Sequence, residues 1–234
     1  IFFLKIWYTR FNQLNESEDI KMDILETMKA RHSVRQYKNQ AIESSKREKI
    51  NALIKDVNAE SKLSIQVFYD EPKCFDSFMA HYGKFENVKN YIAIVGNKND
   101  QEKAGYYGEK IVLKCQKLGL NTCWVAMTHG KSKAQIKRGQ KLLIIISLGY
   151  GETQGVPHKS KSIAELGQAD QKNEWFEKGM EAVSLAPTAV NQQKFYFELK
   201  NGIVTAKNLG GFYSRIDLGI VKYHFEVVTG HEVK

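Results

Sequence analysis

The sequence predicts an α+β protein assembled from two related halves. Three observations predict it. Apolar residues at helical spacing alternate along the chain with short apolar runs of strand length. The most hydrophobic segment, Leu142 to Leu148, has the composition of a central strand buried on both faces. At one constant offset Gln66, Phe68 and Tyr69 fall on Gln193, Phe195 and Tyr196, and Ser33 falls on Ser160, which suggests a repeated helix–turn–strand layout, chance coincidence of few identities being the alternative. The expected division is an N-terminal extension over residues 1–21, a first half over 22–150 and a second half over 151–234.

Each element has its own justification. Residues 22–30 place Ile24, Leu25 and Met28 on one helical face. Ser44 or Ser45 with Glu48 reads as an N-cap, and the helix behind it turns Ile50, Leu53, Ile54 and Val57 inward. Leu63 to Tyr69 alternates like a strand, and Tyr91 to Gly96 is a compact buried one. Residues 101–119 form a helix stopped by Gly119, with a strand over Thr122 to Met127 after it. In the second half a helix over Trp175 to Leu185 leads into a proline turn, and Lys194 to Leu199 is the next strand. Asp217 is positioned to cap a last helix carrying Leu218, Ile220, Val221, Phe225 and Val228.

Composition excludes several classes. The 234 residues suffice for one large core or two small ones, with 42% hydrophobic and 26% charged residues. Three cysteines without a C-x-x-C pair make no disulfide framework and fit a reducing cytoplasm. A net charge of +9 suits an anionic cofactor or a lysine-rich surface; the lysines are scattered and no aromatic–basic motif points to nucleic acid. The apolar start, Ile1 to Tyr8, is too short to span a bilayer, and no stable membrane association is expected.

Two segments carry the chemistry. In Arg31-His32-Ser33-Val34-Arg35, extended chain puts residues i, i+2 and i+4 on one face, so two guanidiniums and a hydroxyl can converge on one phosphate. A solvated basic turn explains that spacing equally well. In Ala186-Pro187-Thr188-Ala189-Val190-Asn191-Gln192-Gln193, the proline fixes a backbone angle and small residues keep the turn tight, while Asn191 and Gln193 present amide donors and acceptors. The bland alternative is a helix C-terminal turn whose Asn191 satisfies local backbone. Gly149 to Gly155 imitates a dinucleotide fingerprint, but its third glycine is one place late and a basic loop follows instead of a helix. Gly130-Lys131-Ser132 imitates a P-loop ending but has Val125 where the first glycine belongs, and the histidines show no zinc-ligand spacing.

Together these segments resemble the flavin signatures of the nitroreductase superfamily, R-x-S-x-R and A-P-S/T-x-x-N-x-Q, and Leu118 to Trp124 resembles its L-G-L-x-T-x-W segment. The strings Glu71 to Phe78, His81 to Phe85, Gly105 to Glu109 and Gly211 to Lys222 are similar to a divergent Thermotoga branch, so the resemblance covers about residues 22–230. It implies an α+β fold with a mixed sheet sandwiched by helices. It also implies FMN, with Arg31, His32, Ser33 and Arg35 at the phosphate and Lys159 and Lys161 brought to the same phosphate by the Pro157–Lys161 loop. Trp124, Val125 and Ala126 would pass the flavin near N5, and Pro187, Thr188, Asn191 and Gln193 would line its polar edge. The implied activity passes electrons from NAD(P)H through flavin N5 to a nitroaromatic, a quinone or a related small acceptor, with no protein nucleophile. Residues 70–87, including Phe75, Phe78, His81, Tyr82 and Phe85, are the expected acceptor pocket. Common members are homodimers with FMN at the interface. Here the two halves are expected to mimic two subunits and close one site within a monomer, a homodimer being the other arrangement. A flavin-binding storage or sensor protein without turnover is the alternative to an enzyme, and a basic binding protein with coincidental motifs is a third.

Overall fold

A computed structural model describes residues 24–234, so the expected extension over residues 1–21 lies outside the described residues. The first helical residues, 24–30 (α1), bury Ile24 and Met28. Helix α2 (Ser44–Ser61) turns Ile50, Ile54 and Val57 inward. Its N-cap is Glu43 with no side-chain cap bond, so the serines expected to cap it belong to the helix itself. A short helix α3 (Phe78–Tyr82) and the longer α4 (Gln101–Lys117) follow. Within the second half lie α5 (Ile163–Leu166), α6 (Glu174–Ser184) and α7 (Ser214–Thr229).

The strands form two sheets. The first has β1 (Ser64–Phe68), β2 (Asn90–Gly96), β3 (Asn121–Val125) and β4 (Lys141–Gly149) in the order β1-β2-β4-β3, all antiparallel. Strand β4 is interior, as its composition predicts, and Leu143 to Leu148 are buried along it. The second sheet has β5 (Gly167–Ala169), β6 (Phe195–Lys200) and β7 (Ile203–Asn208), with β5 parallel and β7 antiparallel to β6. Both β5 and β7 were absent from the expected elements. The first has three residues, and the second buries only Val204, so neither carries a period to detect.

One hydrophobic cluster runs from Ile50 and Ile94 in the first half to Phe176, Phe197 and Phe225 in the second. Its hub is the crossing of α4 and α7. A Cβ on Gly105 would lie 2.0 Å from the Ile216 carbonyl oxygen, and one on Gly219 would lie 1.9 Å from that of Glu102. The two helices therefore meet backbone to backbone through one glycine each. Among the described residues no helix is long and apolar enough to cross a membrane.

Segment 33–37 extends the first sheet. Val34 N–H donates to the Thr122 carbonyl at 3.0 Å, and Ser33 bridges Thr122 in parallel. This edge strip sets the phase of the Arg31–Arg35 motif against β3. The fold makes a stability prediction. Gly219→Ala has only backbone to push against, so it should cost about 3 kcal/mol or more, read as a lower urea midpoint; unchanged stability would show that the helices separate freely.

Candidate functional site

A cavity of about 410 Å³ opens between residues of segments 33–144 and 187–220. Ser33 and Arg35 line it from the edge strip, Trp124 from β3 and Ala126 from just beyond its end, and Pro187 and Thr188 from the proline turn. Segments from opposite ends of the sequence thus share one wall-to-wall space in a single chain. The alternation expected of extended chain holds at two of three positions: Ser33 and Arg35 face the cavity and Val34 is buried behind them.

Arg31 does not join that face. Its N–H still bonds the Thr27 carbonyl at 3.0 Å, so it closes the last turn of α1 and is out of phase with Ser33 and Arg35. Its side chain is 2% exposed and approaches Glu109, with Nε 3.9 Å from Oε1. Burial pulls the guanidinium pKa down and the Glu109 charge opposes that. Nε and Nη1 are buried with no hydrogen-bond partner.

Glu109 is the centre of a buried network. Its Oε2 accepts from Trp124 Nε1 at 3.0 Å, and its Oε1 lies 3.0 Å from His224 Nε2. His224 Nδ1 lies 2.8 Å from the Ala182 carbonyl, which only accepts, so Nδ1 carries a proton. Burial by itself would raise the Glu109 pKa; His224, Arg31 and the Trp124 indole outweigh it and hold the carboxyl below its ordinary value. Trp124 is thereby fixed as a cavity wall by a charge behind it. Gly108 leaves it room, since a Cβ there would sit 2.4 Å from Trp124 Cη2.

The amides of the proline turn are spent on the basic loop. Asn191 Nδ2 and Gln193 Nε2 donate to the Lys159 carbonyl at 2.9 and 3.0 Å, and Lys161 N–H donates to Gln193 Oε1 at 2.8 Å. Thr188 Oγ1, beside the cavity, accepts from Gln193 N–H at 3.1 Å. The amides therefore fix where Lys159 and Lys161 sit and do not line the cavity. The loop also returns to the Arg31 segment: a Cβ on Gly155 would lie 2.8 Å from the His32 Cβ. His32 has its pKa lowered by burial and then by the Arg31 charge. Val125 is buried between its two cavity-lining neighbours.

Asp217 is the residue the sequence misassigned. It lies inside α7, whose N-cap is Tyr213, and it caps the proline turn instead. Oδ1 accepts from Ala189 N–H at 2.9 Å and Oδ2 from Gln192 Nε2 at 2.7 Å. The turn needs such a clasp, because Val190, Asn191 and Gln193 have φ of 47°, 54° and 46°, in the left-handed region. Asp217 lines the cavity and burial raises its pKa to about 6. Phe212 and Tyr213 also line the cavity; they lie in the Gly211–Lys222 string that marks the family resemblance, but nothing in that string placed them at a site. Of the aromatic residues expected at the acceptor pocket, Tyr82 lines the cavity while Phe75 and Phe85 are core residues.

Two outcomes are expected. Glu109→Gln leaves Arg31 buried without its counter-charge and should cost about 3–5 kcal/mol at neutral pH by denaturant unfolding. Because the folded Glu109 pKa is depressed, its contribution is present above the ordinary value of 4.5 and lost as pH falls through the folded value, so parent and variant should converge in acid. Asp217 has the opposite sign. Its folded pKa exceeds its ordinary 3.8, so this group makes the fold less stable as pH rises from about 4 to about 6. A carboxyl carbon titrating near pH 6 by NMR, absent in Asp217→Asn, checks it.

The family described as "Putative TM nitroreductase" matches residues 23–229. None of the curated proteins matches the chain. A solved structure described as a "putative nitroreductase" from Thermotoga maritima superposes with a TM-score of 0.63 at 23% identity, covering 88% of this chain and 82% of that one. A structure described as an FMN-dependent nitroreductase from Clostridium difficile gives a TM-score of 0.44 at 22% identity, covering 60% of this chain and 92% of that one. With the family matched across nearly all of its length, the chain belongs to this nitroreductase family and is an oxidoreductase of that family.

Proposed function

We propose that the cavity holds FMN and that the protein is an NAD(P)H-dependent oxidoreductase acting on a nitroaromatic, a quinone or a related small acceptor. The observation that carries this reading is the convergence of Ser33, Arg35, Trp124, Ala126, Pro187 and Thr188 on one space. FMN asks for cations at its phosphate and for flat walls at its ring. The residues present fit both demands. Arg35 and Lys84 line the cavity as cations, and Ser33 adds a hydroxyl beside them. Trp124, Tyr82 and Tyr213 supply aromatic surface.

The roles then divide as follows. Ser33 and Arg35 take the phosphate with Lys84 beside them, Arg31 supports them from behind through its contact with Glu109, and Lys159 and Lys161 add charge from the loop that Asn191 and Gln193 fix in place. Trp124 and Ala126 with Pro187 and Thr188 bound the ring, Val125 being buried between the first two. When bound, FMN supplies a two-electron carrier that no side chain can replace. The chain itself orients the partners and excludes water, and a cationic rim favours the negative charge of a reduced ring. Segments 33–144 and 187–220 of the same chain line the cavity, which supports one site per chain.

This reading predicts one FMN per chain by absorbance and protein assay, in a protein that NADH or NADPH bleaches. Arg35→Ala and Lys159→Ala each remove one cation and should weaken FMN binding about tenfold. A chain that stays colourless after incubation with FMN, or variants that hold FMN as tightly as the parent, would overturn the assignment.

A further inference from the structure

A second cavity, of about 500 Å³, adjoins the first and shares Phe212 and Tyr213 with it as a common wall. Its other side presents Lys141, at the start of β4, and Arg215, in the first turn of α7. Neither cation is paired with a carboxylate among the described residues, and no acidic side chain lines this space. Other lysines are paired: Lys222 is 2.7 Å from Glu102, and Lys110 is 3.2 Å from Glu60. Two unneutralised cations beside a sheltered concavity form a potential that attracts anions.

The shared wall is held at both ends. Gln192 Nε2 donates to the Phe212 carbonyl at 2.7 Å, and Tyr213 Oη donates to the Ala126 carbonyl at 3.3 Å. Tyr213 itself stands at φ 55°, a left-handed conformation that its surroundings must impose. A fixed partition with a ring-sized cavity on one side and a cationic one on the other suits a ligand made of two unlike parts.

We propose that the Lys141–Arg215 cavity is an anion subsite that holds the phosphate-bearing tail of a substrate whose planar ring enters the first cavity. This rests on the flavin reading of the first cavity, and the ligand class it names is a dihydropyridine carrying a phosphorylated tail. The phosphate recognised is either a pyrophosphate bridge or an added ribose phosphate. Arg215 offers a planar fork to phosphate oxygens and Lys141 a point charge. Both residues are exposed on regular elements, so truncating either leaves the core intact.

The test uses the FMN-loaded protein and two probes that lack the nicotinamide, ADP-ribose and 2′-phospho-ADP-ribose, titrated by calorimetry. The parent should bind at least one of them, and Lys141→Ala and Arg215→Ala should each weaken that binding about tenfold. Preference for the second probe assigns the subsite to a ribose phosphate, and equal binding of both assigns it to the pyrophosphate. In steady state the same variants should raise KM for the matching dinucleotide about tenfold and leave kcat unchanged. A phosphate-free N-benzyl dihydronicotinamide should be used equally well by parent and variants. Unchanged probe binding in both variants, or equal loss with the phosphate-free donor, would overturn the subsite while the flavin reading stands. A chain that binds no FMN yet binds the probes through Lys141 and Arg215 would overturn the flavin reading and keep the subsite.

Discussion

A single buried carboxylate organises the centre of this protein. An ion sealed from water is tolerated only with its partners in place, and Glu109 draws them from separate elements. Arg31 comes from the end of α1, Trp124 from β3 and His224 from α7. His224 in turn is tied to the Ala182 carbonyl of α6. Four pieces of chain distant in sequence are therefore fixed by one charge, and the Trp124 face of the cavity is fixed with them.

Close helix packing makes that network reachable. Gly105 and Gly219 let α4 and α7 approach backbone to backbone, which brings Glu109 on one helix to His224 on the other. The same approach carries Asp217 to the cavity, where its carboxylate clasps Ala189 and Gln192. The clasp offsets a turn with three non-glycine residues at positive φ. Such strain persists only where neighbours over-determine the geometry, and here those neighbours are Asp217, Thr188 and the Lys159 carbonyl.

Cations collect around both cavities while the acids are committed elsewhere. Arg35 and Lys84 line the first cavity and Lys141 and Arg215 the second. Glu109 is enclosed by its partners, and Asp217, the carboxyl at the first cavity, is pushed by burial towards neutrality near pH 6. The net charge of +9 therefore has a local expression at these two cavities.

Much of this was legible in the sequence. Apolar periodicity located β2, β4, α4 and α6 to within a residue or two, because burial of one face or both is written directly into residue order. The Arg31 and proline segments could be singled out as chemistry, and extended alternation put Ser33 and Arg35 together. What residue order does not encode is phase at a junction or a partner in another element. Arg31 finishes a helix rather than starting a strand, so its guanidinium turns to Glu109; Asp217 sits four residues past the N-cap and serves another segment's backbone; Asn191 and Gln193 face the Lys159 loop. Strand β7 escaped because it buries a single side chain. The sequence by itself determined the elements and the chemical inventory, since both follow from local spacing and residue type. Only the tertiary structure decided which groups share a cavity and which neutralise one another, because those contacts depend on how α4, α7 and the edge strip pack.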